Sequence, residues 1–549
     1  MVGDYGGIMR TTNGGIGITQ ISTEIPFKHY LYQNYPNPFN PVTKIRFQIP
    51  PLNLPFKGGD NEGAVLKIYD ILGKEIAVLV NEELSPGTYE VNWDASNYSS
   101  GVYFYSLKTD NFLQTKKDGG GKMKKFILLL TIFSIEVFSQ SLAPVQSIFM
   151  QGNNINSVFR TDGYFNYDKI SFPSGNAGFN WPATAPQGMT AVFTSGIWIG
   201  AKVGPQRELR LAASFYNTHY SPGNIPVIGQ VPPSSVCSDP TWRGYYVQLT
   251  DPSLFNGGTR YKTAGGRQYT FNYDSWANWP VQKGAPYVEV NGIPGYQPAF
   301  NGDRPGIGNG MTARPEELLF FVFMDYTNCT NNQHSSELSL PGGTLPIGVE
   351  VHQLVFNFNC FPLRDMYFVK YRIINKSGQS WDSTFISFAN DPDIGDASDD
   401  ANGCDTVRNL VYQYNFDNND QVYGMNPPAL GMKVIQSPIR NTGLNSDTAK
   451  LPYDTLIGFR LTGLTGYTFF VGGGNECTGD PDIAEYAYNF MRGKDGCGNI
   501  FYNFVTGKPT SFKFSGDACN RTGWFDSSQG DSRGLFNMGP VTMQSGDTQ

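Results

Sequence analysis

The chain is 549 residues long, carries a formal charge of −7, and is 40% hydrophobic, 14% aromatic and 16% charged. That apolar content excludes a disordered chain, and the lack of a basic excess argues against a nucleic-acid partner. Gly (63) and Pro (36) are too dispersed for a collagen repeat. Low charge with many Tyr, Phe and Gly residues points to an extracellular, all-β protein.

The first twenty residues include Val2-Gly3-Asp4-Tyr5-Gly6-Gly7-Ile8 and Thr11-Thr12-Asn13-Gly14-Gly15. They resemble one repeat of a β-propeller of the photosystem-assembly-factor type. A single repeat cannot bury its own faces, so residues 1–20 read as a remnant. Residues 24–118 alternate in the manner of short strands: Ile45, Phe47 and Ile49, then Ile76, Val78 and Val80, then Tyr89, Val91 and Trp93. Turn chemistry at Asp70-Ile71-Leu72-Gly73, Ser85-Pro86-Gly87 and Ser99-Ser100-Gly101 separates them. The expected fold is a small Ig-like β-sandwich.

Within it, Tyr35-Pro36-Asn37-Pro38-Phe39-Asn40-Pro41 and Leu66-Lys67-Ile68-Tyr69-Asp70-Ile71-Leu72-Gly73 resemble the C-terminal sorting domain of the bacterial type IX secretion system. Pro86-Gly87-Thr88-Tyr89, Trp93-Asp94-Ala95 and Ser100-Gly101-Val102-Tyr103-Phe104-Tyr105 continue the likeness. The resemblance implies a module read by the type IX translocon and sorting machinery. It places the protein outside a Gram-negative-type cell, secreted or attached to the outer surface. In that family the module closes its protein, so the first piece is expected to end here.

Residues 119–122 form a Gly-rich linker, and residues 123–139 read as a signal peptide. Lys124 and Lys125 supply the positive start, residues 126–138 the apolar stretch, and Val137 and Ser139 the −3 and −1 positions before Gln140. The apolar stretch is 13 residues long. As a helix it would reach about 20 Å, short of the roughly 30 Å bilayer core, so no stable membrane span is expected. A short hydrophobic signal-peptide helix between two β-rich pieces is the expected arrangement. Such a signal belongs at an N-terminus, so the chain reads as the end of one exported protein joined to the beginning of another.

After Gln140, runs such as Gly196-Ile197-Trp198-Ile199-Gly200, residues 318–323, residues 366–374 and Thr384-Phe385-Ile386-Ser387-Phe388 are short, apolar and bounded by Gly, Pro, Asn or Asp. They predict a large β-sandwich-type ectodomain over residues 140–390, continuing over 391–549.

Acidic residues concentrate at Asp391, Asp393, Asp396, Asp399 and Asp400, with Asp405 close behind. Like charges this dense need wide solvation or a hard cation. Aspartates spaced by two or three around a Gly can wrap Ca²⁺, which takes six to eight oxygens. The spacing misses the EF-hand register, so these six are candidate ligands of a structural Ca²⁺. Asp417-Asn418-Asn419-Asp420 is a second candidate run.

Asp391-Pro392-Asp393-Ile394-Gly395, Gly403-Cys404-Asp405-Thr406, Gly523-Trp524-Phe525-Asp526 and Gly539-Pro540-Val541-Thr542 resemble a group of large uncharacterised secreted proteins that themselves usually end in such a sorting domain. The likeness brings no known activity. It implies further strands after Gln549, and hence a truncated second piece.

All seven cysteines follow the signal peptide. An exported chain favours disulfides, and the odd count leaves at least one thiol unpaired. Cys477 with Cys497 is the favoured bridge. Gly530-Asp531-Ser532-Arg533-Gly534 satisfies the nucleophile-elbow pattern, but neither a buried strand before it, a helix after it, nor a later histidine follows from the sequence. Ser532 therefore reads as part of a turn. His219, His334 and His352 are too scattered in sequence for a visible metal triad. Trp242, Tyr245 and Tyr246 would stack on sugar rings if exposed, yet core packing is the commoner fate. No catalytic residue and no required cofactor is assigned. The functional expectation is a surface protein with a structural or adhesion role, cell-surface glycan being a candidate partner. The alternative is a polysaccharide-binding or polysaccharide-degrading exoprotein.

Overall fold

In the computed structural model the alternation of the first strands becomes a buried face. The structure describes residues 18–22, 26, 29–32, 34–35, 41–50, 62–69, 74–96, 98, 103–109, 113–118, 145–169, 175–184, 189–250, 258–264, 267–274, 276–290, 292–308, 310–330, 333–334, 340–451, 454–527 and 530–549. Most of the propeller-like repeat, the linker, the signal peptide and the motif residues at 36–40, 70–73 and 99–102 lie outside these. The chain divides into two units, Met1–Glu136 and Val137–Gln549.

Unit 1 contains β1 (Ile18–Ser22), β2 (Tyr30–Leu31), β3 (Val42–Ile49), β4 (Glu62–Tyr69), β5 (Glu75–Leu84), β6 (Gly87–Asp94), β7 (Tyr103–Lys108) and β8 (Leu113–Asp118). They form two four-stranded antiparallel sheets, β1-β6-β3-β2 and β5-β4-β7-β8. Ile45, Phe47, Ile49, Val91 and Trp93 of one sheet meet Leu66, Ile68, Tyr105 and Leu107 of the other in a single core. Lys44 and Arg46, between the buried positions of β3, turn outward and pair with Glu90. The expected period slips in β5. A register shift between the pairs Leu66–Val80 and Lys67–Val78 leaves Leu79 as an extra residue. Leu79 and Val80 are consequently both buried, while Ile76 and Val78 are only half-buried.

Unit 2 is built on β9 (Thr190–Val203), β10 (Glu208–Ala213), β11 (Glu317–Met324), β12 (Val349–Asn357), β13 (Tyr367–Asn375), β14 (Trp381–Pro392), β15 (Asp400–Asp405), β16 (Leu410–Asn415), β17 (Gly466–Val471), the two-turn helix α1 (Ala484–Met491), and β18 (Ser532–Met543). A nine-stranded sheet carries β9, β14, β18 and β17 side by side, with β10 paired to β9. A five-stranded sheet carries β11, β12 and β13. Ile197, Ile199, Ile386, Met538 and Val541 of the first pack against Leu319, Phe321, Phe323, Val351, Val355 and Ile373 of the second.

The opposite face of the larger sheet is buried too. Trp198, Phe385, Phe470 and Leu535 meet Ala484, Ala487, Tyr488 and Met491 of α1, residues spaced to share one face of a helix. Burial on both faces explains why residues 196–200 read as a continuous apolar run rather than as an alternation. Residue 390, where the ectodomain was divided, lies inside β14. That strand pairs with β9 on one side and β18 on the other, so segments from both sides of the division share one sheet. Among the described residues no helix is long and apolar enough to cross a membrane.

Candidate functional site

The acidic segment leaves the end of β14, turns through residues 393–399, and re-enters the fold as β15. Asp391 is still in the sheet, opposite Thr194, and is 2% exposed. Its Oδ2 accepts the Tyr216 hydroxyl, and its Oδ1 lies 3.6 Å from Arg533 Nε. Arg533 Nε also donates to the Tyr216 oxygen at 3.3 Å, Nη2 pairs with Asp531 at 3.2 Å, and Asp480 lies 3.8 Å away. Among the described residues, Asp391, Asp393 and Asp531 bring carboxylate oxygens within 4.8 Å of one another.

Burial, with the charges of Asp531 and Asp480, pushes Asp391 up to about 7 against the pull of Arg533 and Tyr216. Asp393, desolvated and facing Asp391, Asp531 and Asp400, is pushed up to about 9. Asp400 reaches about 8 through burial and the charges of Asp399, Asp420 and Asp396, though the Ile394 N–H opposes this. One guanidinium thus faces several carboxylates.

The remaining predicted residues take different places. Asp396 accepts the Ser398 N–H at 3.0 Å and closes a single turn. Its own N–H donates to Asp420 at 2.8 Å, which joins the second acidic run to the first. This approach requires Gly395, whose φ is +73° and whose Cβ, if present, would lie 2.2 Å from Asp420 Oδ1. Asp399 sits beside Asp420, Asp396 and Asp417, its carboxyl raised mainly by burial. Asp405 is at the far end of β15, about 17 Å away at roughly 3.4 Å per residue. There it accepts the N–H groups of Val407 and Arg408, and the Arg408 side chain holds it below the usual carboxylate range. Asp405 therefore caps a turn away from the cluster. Asp531 and Asp480 escaped the sequence reading because only the pairing of β14 with β18 and β18 with β17 brings their loops to Asp391.

Ser532 begins β18, and its hydroxyl accepts Asn402 Nδ2 at 2.7 Å. A strand follows it where an elbow would require a helix. Two histidines that are far apart in sequence meet in space: His219 and His334 are buried and stacked at 4.1 Å. His352 instead pairs with Glu350 at 2.8 Å. Tyr246 is fully buried with its hydroxyl on Glu317. Tyr245 is buried as well, and Trp242 is half-buried beneath Lys283, 3.3 Å from its ring. The three aromatics thus pack inward and form no open platform.

Cys477–Cys497 forms as favoured, and Cys237–Cys329 is a second bridge. The group Glu476, Cys477 and Cys497 is therefore a disulfide with a neighbouring carboxylate. Cys360 and Cys519 are exposed free thiols and Cys404 a buried one, two more unpaired than the minimum the odd count requires.

Comparison with curated proteins finds no match to this chain. Residues 33–118, which hold β3 to β8 of the two-sheet sandwich of unit 1, match the family described as the secretion system C-terminal sorting domain, and with that module come the type IX secretion machinery and a secreted or cell-surface destination.

Proposed function

We propose that unit 2 is a display module: a structural or adhesive β-protein of the cell exterior, carrying no catalysis of its own. The observation that carries the reading is the pair of disulfides, Cys237–Cys329 and Cys477–Cys497, which staple this β-rich unit in the manner of exported chains. The disposition of the polar groups supports it. Ser532, His219, His334 and His352 are each engaged with neighbouring groups of the fold. A contact surface of the adhesive kind is available at the hairpin around residues 501–510, where Tyr502 is 61% and Phe504 89% exposed. In this reading residues 123–139 direct export of the second piece, and unit 1 addresses its own, preceding piece.

The test is mass analysis of the secreted product together with binding to insoluble glycans and to whole cells. A mature N-terminus at Gln140, with retention on cells or glycan and no release of reducing sugar, is expected. Release of reducing sugar would move unit 2 to the polysaccharide-degrading reading. Peptides bridging Lys117 and Lys125 would refute the internal signal.

A further inference from the structure

Oxygens of Asp391, Asp393 and Asp531 within 4.8 Å of one another have the spacing of ligands around a single ion, since Ca²⁺ binds oxygen at about 2.3–2.6 Å. We propose that these three carboxylates form a Ca²⁺ site that ties the end of β14 to the start of β18. The proposal is independent of the display reading: the ion would brace the fold whatever unit 2 binds.

Two buried atoms point to a cation ligand set rather than to a merely solvated acidic loop. Asp391 is 2% exposed, and its Oδ1, 3.6 Å from Arg533 Nε in an ion-pair contact, accepts no hydrogen bond. Asp400, whose charge reaches Asp393, is 3% exposed, and its Oδ1 is likewise buried without a hydrogen bond. A carboxylate oxygen held away from water without a donor is costly, and a cation at the mouth of the cluster supplies what the protein does not. Arg533 offsets only one of the charges of Asp391, Asp393, Asp480 and Asp531. Its Nε and Nη2 are already shared with Tyr216 and Asp531.

The donor set selects the ion. All the groups are oxygens, and among the described residues neither imidazole nor thiolate joins the group, which favours a hard cation over zinc or copper. The three carboxylates come from two strand ends, and the Asp531 side chain is 50% exposed. Such a site is adjustable and leaves positions for water. Ca²⁺ tolerates that irregularity, whereas Mg²⁺ demands a near-ideal octahedron. The expected affinity is that of extracellular modules, Kd of about 10⁻⁴ to 10⁻³ M.

The test uses the full chain, stripped with EDTA, dialysed and titrated calorimetrically with CaCl₂ alone. Thermal unfolding is then followed with and without millimolar CaCl₂. Saturable binding and an upward shift of Tm are expected. Asp531→Asn, at a half-exposed position, should fold with the Tm of the stripped parent and weaken this binding by about tenfold or more. Asp393→Asn should do the same, and Asp405→Asn should titrate like the parent. Absence of both heat and Tm shift in the parent would overturn the site, and so would an Asp531→Asn protein that titrates unchanged. A response to MgCl₂ equal to that with CaCl₂ would overturn the assignment of the ion.

Discussion

His334 faces a backbone carbonyl oxygen with each ring nitrogen, Leu211 at 2.8 Å and Asp325 at 2.9 Å, while its ring lies flat against His219. The Asp325 carboxylate, fully buried, accepts N–H groups from Ile347, Gly348 and Val349. Together these groups fix the turn that leads into β12. Asp325→Ala removes the acceptor from three buried donors and is expected to lower the stability of unit 2 by about 3–5 kcal/mol. Denaturant unfolding of parent and variant measures the difference. A loss under about 1 kcal/mol would show that those donors find other partners.

Glu350 is expected to give unit 2 part of its acid sensitivity. Burial raises this carboxyl, but the His352 hydrogen bond, the Ile225 N–H and the charges of His352 and Lys376 outweigh burial and hold it below the ordinary value. A folded-state pKa below the unfolded one contributes stability above the unfolded value, about 4.3, and that contribution fades as pH falls through the folded one. Glu350→Gln should therefore be less stable than the parent at neutral pH, with the gap in Tm closing on acidification toward pH 3 or so. A gap that widens in acid would contradict the sign.

The thiols should titrate in two classes. Cys360 and Cys519 are exposed, whereas Cys404 is buried and its thiol is pushed up to about 12 by burial and by Asp405. Because the thiolate is the reactive form, a thiol reagent near neutral pH should label the first two in the native protein and the third only on unfolding. Labelling of all three at one rate would place Cys404 elsewhere. Reduction should lower the Tm of unit 2, since the bridges span sequence separations of 92 and 20 residues and loops of that order contribute about 3–5 kcal/mol each.

Export should depend on the core of unit 1. Phe47 is fully buried and stacks on Tyr89, so Phe47→Ala should cost about 3–5 kcal/mol. A reporter carrying residues 24–118 at its C-terminus should reach the medium or cell surface of a type IX-competent host, and the Phe47→Ala version should not. Equal export of both would mean that the machinery reads a linear motif rather than the folded sandwich.

The strands were legible where one chemical pattern dominated. Thr43, Ile45, Phe47 and Ile49 are buried in alternation, as β3 required, and the apolar runs at 318–323 and 384–388 became interior strands. The bulge at Leu79 was not legible, because an inserted apolar residue looks like an ordinary continuation of the run. Helix α1 carried a readable signal in Ala484, Ala487, Tyr488 and Met491, but it is too short to stand out among strand-like neighbours. The acidic region was visible as composition only. Spacing along the chain grouped Asp405 with Asp391, whereas the hairpin β15–β16 carries Asp405 away and the pairing of β14 with β18 brings Asp531 in. The contact of His219 with His334 is likewise a product of tertiary structure, with no local signature.

The position of β18 has a consequence for how unit 2 can be delivered. This strand, supplied by residues 532–543, lies between β14 and β17 rather than at a margin of the sheet. In a chain emerging N-terminus first, β14 keeps one edge unpaired, and β17, which joins the sheet through β18, has no place in it until residues 532–543 arrive. Exposed edges of that kind recruit other strands, and pairing across such long sequence distances is slow. Closure of the larger sheet therefore waits for residues 532–543, which keeps the strands before them threadable and exposes them to wrong pairing over the same interval.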